Sequence, residues 1–78
     1  MAVEQTVKEV LKQVLDVKPE EIKPDAKLEQ AFGVDSTEMV EINVAIKKAL
    51  GIEMANNELK KEHSLKQILE ILRSKGAN

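Results

Sequence analysis

The residues best suited to chemistry lie in the stretch AFGVDSTEMV, residues 31–40. Ser36 follows Asp35 where a turn containing Gly33 gives way to an apolar helical pattern. A phosphate attached to a serine at a helix start is favoured by free backbone N–H groups and by the positive end of the helix dipole. The same Asp-Ser pair is also common as a plain helix cap, because both side chains accept hydrogen bonds from those N–H groups. The pair by itself leaves a modification site and a plain cap open.

Catalysis by the chain itself is not expected, and no catalytic or metal-binding residue is assigned. His63 is the only histidine. A Ser36–His63 pair would need direct contact, an orienting third group and an oxyanion site, which a chain of 78 residues can hardly shield. The absence of cysteine excludes thiol nucleophiles, disulfides and thiolate metal sites. No D-x-D-x-D-G metal-binding loop occurs in the sequence.

The composition is typical of one small folded domain. Hydrophobic residues make up 42% and charged residues 33% of the chain. We therefore expect a single domain over residues 1–78, with a frayed tail at about 74–78. A net charge of −2 indicates no nucleic-acid partner. No signal-peptide pattern and no apolar run of about 20 residues occurs, so we expect a cytoplasmic protein without membrane insertion.

The spacing of apolar residues predicts an all-α fold: a small four-helix bundle with a long loop between helices 1 and 2 and a short third helix. One face of the first helix holds Val3, Val7, Val10, Leu11, Val14 and Leu15. The pattern breaks from Val17 to about Gln30, a segment that holds both prolines. Three apolar residues are expected to pin this long loop to the core: Ile22, Leu28 and Phe32.

The second helix is predicted to run from Asp35 or Ser36 to Leu50, with Gly51 ending it and Glu38 completing a capping box. Its inward face is expected to hold Met39, Ile42, Ile46, Ala49 and Leu50. Asn56 or Asn57 is predicted to open the short third helix, through Lys61. Ser64 is predicted to cap the fourth helix with Gln67. The core face of that helix is expected to hold Leu65, Ile68, Leu69 and Leu72.

The segment Phe32-Gly33-Val34-Asp35-Ser36 resembles the attachment motif of acyl carrier proteins. The length, the order of the helices and the VKPEEI stretch extend this resemblance over essentially the whole chain. It implies that Ser36 takes a 4′-phosphopantetheine arm, whose thiol carries acyl groups as thioesters. It also implies that Asp35 helps the phosphopantetheinyl transferase, by organising its magnesium site. The chain would then be a substrate of enzymes and not an enzyme.

The resemblance also implies two surfaces on the bundle. The outward face of the second helix would dock acyl-processing enzymes through Thr37, Val40, Glu41, Val44, Lys47 and Lys48. The acyl chain would enter between the second and third helices. The expected wall of that acyl pocket consists of Met39, Asn43, Ile46, Met54, Leu59 and Ile68.

The chain departs from the family pattern on the docking face. Thr37 stands where the family has leucine. Lys47 and Lys48 balance Glu38 and Glu41, so the second helix has no net charge where carrier proteins of fatty acid synthesis present carboxylates. Like charges oppose docking on a basic partner. We therefore expect a role in fatty acid synthesis or a related specialised lipid or secondary-metabolite pathway, with poor docking on the enzymes of housekeeping fatty acid synthesis.

Two further departures concern the acyl pocket. Asn43 lies at the edge of the apolar stripe and is either a boundary residue, a buried amide satisfied by the backbone, or part of a cavity for a polar acyl group. Glu62 replaces an apolar residue of the third helix, which leaves Leu59 as its main anchor.

Two other functions stay open at this point. In the first, the phosphopantetheine arm carries an aminoacyl or peptidyl group. In the other, the chain is a helical interaction module without a cofactor. A monomer is expected, as suits a shuttle.

Overall fold

The structure is a computed structural model, and it describes residues 3–55 and 57–77. Its elements are α1 (Val3–Leu15), a 3₁₀ turn (Pro19–Glu21), α2 (Leu28–Phe32), α3 (Ser36–Leu50) and α4 (Leu65–Ser74). In these two ranges the only β pairing is an isolated bridge between Lys27 and Ser64. The predicted all-α class with four helices is confirmed.

The helices enclose one aliphatic core, and α1 packs mainly against α3. The apolar faces predicted for the first and fourth helices are buried, except that Val14 and Leu15 are only half-buried. Ile22 and Leu28 pin the first connection to this core, and Phe32 packs against it half-buried. Burial of apolar surface is the main stabilising contribution to so small a fold. The buried apolar residues are Val3, Val7, Val10, Leu11, Ile22, Leu28, Val34, Met39, Ile42, Ile46, Met54, Leu59, Leu65, Ile68, Leu69, Leu72 and Ala77.

The longest helix, α3, has the predicted bounds. It begins after the N-cap Asp35 and ends at Gly51, whose φ of 63° lies in the left-handed region that favours glycine. One prediction about its inward face was wrong. Ala49 is exposed, because it lies at the margin of the stripe in the last turn. Leu50 packs against the core and is half-buried. Asn43 is fully buried instead.

The short helix does not lie where the sequence predicted it. Residues 57–62 form turns and bends, and the expected start at Asn56 lies outside the described residues. The five-residue α2 forms instead within the first connection, and Gly33, with a φ of 64°, ends it. A helix uses its backbone N–H and C=O groups for hydrogen bonds within the helix. At Leu59 the Asn43 side chain bonds both of these groups instead.

The C-terminal segment follows α4 closely in its described part. The backbone N–H of Ala77 donates to the carbonyl of Leu72 over 3.1 Å, and the Ala77 side chain is buried. The Lys75 ammonium lies 3.2 Å from the Glu58 carboxylate. The pKa of Glu58 is lowered, first by the hydrogen bond from Lys75 and then by a backbone hydrogen bond at Ala55. This pair ties the end of α4 to the turn at residues 57–62.

Candidate functional site

Ser36 occupies the first position of α3, and the local sequence holds it there. Gly33 turns the chain after α2, and the N–H of Gly33 donates to the carbonyl of Glu29 over 2.9 Å. Val34 is 2% exposed. Val34 lies directly before the cap residue Asp35, and Met39 lies four residues after Asp35. This is the spacing of a hydrophobic staple, which sets the direction in which a chain enters a helix. The exposed Ser36 side chain is therefore presented from a well-anchored turn.

Asp35 and Glu38 form the predicted capping box. The N–H of Glu38 donates to Oδ1 of Asp35 over 2.8 Å, and the N–H of Asp35 donates to Oε1 of Glu38 over 3.1 Å. One carboxylate oxygen of Asp35 thus holds the helix start, and the exposed side chain leaves the other oxygen accessible. No group of three acidic or histidine side chains able to hold a metal ion occurs in residues 3–55 and 57–77.

The three serines of the chain have different surroundings. Ser64 is buried as the cap of α4, where its Oγ accepts a hydrogen bond from the N–H of Gln67. The Ser74 hydroxyl donates to the carbonyl of Ile71 over 2.6 Å. Ser36 alone combines an exposed side chain with the first turn of a long helix, where backbone N–H groups and the helix dipole attract a phosphate.

A groove of about 290 Å³ begins beside Ser36 and runs between α3 and the turn at residues 57–62. We call it the Ser36 groove. Most of its lining surface is apolar, which suits a hydrocarbon chain. Its lining residues are Ser36, Met39, Val40, Asn43, Asn57, Leu59, Lys60, Lys61 and Glu62.

The structure brings half of the predicted acyl-pocket residues to this groove. Met39, Asn43 and Leu59 line it, whereas Ile46, Met54 and Ile68 are buried in the core and do not. The residues at 57 and 60–62 were not predicted to line a pocket. The sequence predicts a helix over these residues, and the helical spacing of apolar residues cannot predict a groove rim that is built from turns.

Asn43 is 1% exposed, and its amide is bonded to backbone groups. Nδ2 donates to the carbonyls of Met39 over 2.7 Å and Leu59 over 2.9 Å. Oδ1 accepts from the N–H of Leu59 over 2.9 Å. These bonds use both Nδ2 protons, and they match the alternative of a buried amide satisfied by the backbone. Asn43 thereby connects α3 to the turn that forms the far side of the groove.

Further bonds hold the rim of the Ser36 groove. Nδ1 of His63 accepts from the N–H of Lys60 over 3.0 Å. The carbonyl of Lys61 accepts from the N–H of Glu29 over 2.9 Å, and the side chains of the same two residues pair at 3.3 Å. His63 thus helps to hold the turn that forms the rim.

The residues predicted for docking lie along the exposed side of α3. Thr37, Glu41, Lys47 and Lys48 are exposed, and Val44 is half-buried. Val40, at 47%, is the one exposed large hydrophobic side chain in the described part of the chain. Val40 also lines the Ser36 groove, so the outward face of α3 and the groove share an edge.

Comparison with known proteins identifies the family. The family model described as the phosphopantetheine attachment site matches residues 5–72. An acyl carrier protein of Campylobacter hominis is 31% identical over 78 residues, which cover 100% of this chain and 99% of that protein. The chain belongs to the acyl carrier protein family. An acyl carrier protein of Nitratidesulfovibrio vulgaris is 29% identical over 75 residues, 96% of this chain and 99% of that protein. One of Wolinella succinogenes is 36% identical over 61 residues, 78% of this chain and 80% of that protein.

The family establishes the cofactor and the general role of the chain. The cofactor is 4′-phosphopantetheine, and the chain carries acyl groups on this arm. The relatives are acyl carrier proteins. The alternative of a module without a cofactor is thereby set aside. No helix in the described residues is long and apolar enough to cross a membrane.

Proposed function

We propose that Ser36 is the residue to which the phosphopantetheine is attached. The observation that carries this proposal is the exposed Ser36 side chain, in the first turn of α3 and at the opening of a largely apolar groove. Free N–H groups at this helix end stabilise the negative charge of a phosphodiester. When bound, the cofactor supplies a terminal thiol that holds the acyl group as a thioester.

In the attachment reaction, Oγ of Ser36 forms a bond to the β-phosphorus of coenzyme A. The phosphoanhydride bond breaks, adenosine 3′,5′-bisphosphate leaves, and the serine proton passes to a base of the transferase. The oxygen of Asp35 outside the capping box lies one residue away and suits a hard cation such as Mg²⁺. Since this chain offers no cluster of acidic ligands in its described residues, the other ligands would come from the transferase and the diphosphate.

Replacing Asp35 with asparagine separates its two roles. Asparagine caps a helix about as well as aspartate, so the free energy of unfolding should change by less than about 1 kcal/mol. Loss of the carboxylate charge should slow phosphopantetheine transfer about 10- to 100-fold, the range expected when a group that supports a metal site is changed. Denaturant unfolding and the initial rate of transfer measure the two effects. Equal rates for both proteins would show that Asp35 acts only as a cap.

We further propose that partner enzymes dock on the outward face of α3, where Val40 offers an apolar contact beside the groove. The lysines at the end of this face favour partners with an acidic surface there. Such partners point to a specialised pathway, either lipid or secondary-metabolite synthesis, and not to housekeeping fatty acid synthesis. The carrier would act in the cytoplasm as a monomer.

The direct test of the attachment is the intact mass of the chain after incubation with coenzyme A, Mg²⁺ and a broad-specificity phosphopantetheinyl transferase. We expect the mass to increase by that of one phosphopantetheine group. Peptide mapping should then locate this group on Ser36. No addition by several transferases, on a folded protein, would contradict the proposal. The mass of the protein isolated from its native cells would then identify the cargo and distinguish acyl from aminoacyl or peptidyl groups.

A further inference from the structure

The Ser36 groove has an open end and a closed end. Ser36 at one end is exposed, and Asn43, seven residues later, is fully buried. At about 1.5 Å per residue, the two positions lie roughly 10 Å apart along the helix axis. Beyond Asn43, the next residues of α3 on that side are Ile46 and Lys47. Ile46 is buried in the core, Lys47 is exposed, and neither lines the groove.

The closed end is held by hydrogen bonds and not only by packing. The Asn43 side chain bonds both the N–H and the C=O of Leu59 across the groove, at 2.9 Å each. A hydrocarbon chain that passed this point would separate these groups without offering a replacement partner. Buried polar groups that lose their partners are costly, so this barrier is stronger than an apolar side chain, which only has to rotate aside.

We propose that Asn43 closes the inner end of the Ser36 groove and thereby limits the length of the acyl chain that this carrier can bury. An extended alkyl chain advances roughly 1.3 Å per carbon, given C–C bonds of about 1.5 Å at tetrahedral angles. A groove roughly 10 Å long therefore accepts about eight carbons, and the remainder of a longer chain stays in water. The assignment of this specificity to acyl cargo rests on the proposed function of Ser36.

The groove can be tested without the cofactor, because the chain contains no cysteine. Ser36→Cys supplies a single thiol, to which alkyl groups from butyl to hexadecyl are attached as disulfides through alkyl thiosulfonates. Each methylene that enters the groove should lower the equilibrium constant for unfolding by up to about fourfold. We expect this effect to stop at about eight carbons. When acyl-phosphopantetheine is loaded on Ser36, the arm would lie outside the groove, and the same limit should apply to the part of the acyl chain that enters it.

The matched variants are Asn43→Val and Ile42→Val, each in the Ser36→Cys background. Asn43→Val removes the bonds to Leu59 and should allow longer chains to add stability. Ile42→Val alters a buried residue of α3 that does not line the groove, and it should leave the limit unchanged. If Asn43→Val fails to fold, the series on the Ser36→Cys protein decides alone.

Three results would overturn the proposal. The first is stability that keeps rising to hexadecyl in the Ser36→Cys protein, and the second is stability that does not depend on chain length. The third is a folded Asn43→Val protein with an unchanged limit. Amide hydrogen exchange provides a further check on the unmodified chain, where the Leu59 N–H should be protected. A limit near eight carbons in the alkyl series, together with failure of the transferase, would retain the groove assignment and reject the attachment at Ser36.

Discussion

Ser36→Ala is expected to abolish phosphopantetheine transfer completely while leaving the fold intact. The variant removes the oxygen that forms the phosphodiester. Alanine is tolerated in the first turn of a helix, and Asp35 and Glu38 keep their capping hydrogen bonds. The free energy of unfolding should therefore change by no more than about 0.5 kcal/mol. Intact mass after transferase treatment and denaturant unfolding measure the two quantities.

Ser74→Ala is the matched control for this experiment. Ser74 is also an exposed serine on a helix, but it lies in the last turn of α4, where its hydroxyl bonds the carbonyl of Ile71. The negative end of the helix dipole disfavours a phosphate there. Full modification of Ser74→Ala is expected. Modification of Ser36→Ala would place the attachment on a different side chain and refute the assignment.

Reversing the charges of Lys47 and Lys48 should speed association with enzymes that have a basic docking surface, on which the unchanged carrier is expected to dock poorly. Both lysines are exposed on the last turn of α3. With two glutamates in their place, association with a fatty-acid-synthesis enzyme that has a basic docking surface should become about 10- to 100-fold faster. Stopped-flow association rates at several salt concentrations measure the effect. The gain should shrink as salt rises, since exposed charges are screened.

The control for the reversal carries the same change in net charge elsewhere. Lys12 lies on α1 and Lys66 on α4, and both are exposed. Reversing these two lysines should accelerate association much less. Equal acceleration by both pairs would attribute the effect to net charge and contradict a docking face on α3. The helix dipole disfavours glutamates at the end of α3 by up to about 1 kcal/mol each, so the folding of the variant is verified by denaturant unfolding.

The end of the Ser36 groove at Asn43 bears on the pathway in which this carrier acts. A groove that ends at Asn43 suits a short acyl group, and the lysines of α3 suit partners other than those with basic docking surfaces. Both features lie on the same helix as Ser36, within its 15 residues. The proposed limit on cargo length and the proposed choice of partners would thus both depend on α3. The alkyl series on Ser36→Cys and the charge reversal at Lys47 and Lys48 test them independently.

The sequence by itself determined the elements whose signals are local. The apolar spacing of α1 and α4, the capping boxes of α3 and α4, and Gly51 at the end of α3 all depend on residues a few positions apart. The same holds for the segment from Phe32 to Ser36, which carried the resemblance to the family. Side chains within one or two turns of each other establish these features, so the sequence alone reports them.

Only the tertiary structure decided the shape of the Ser36 groove. The turn at residues 57–62 was predicted to be helical, and its actual path depends on Asn43, which lies 16 residues from Leu59 in the chain. No periodicity reports a hydrogen bond over that separation. The burial of Asn43 was equally undetermined, because an amide at the edge of an apolar stripe is buried only where distant backbone groups supply its partners.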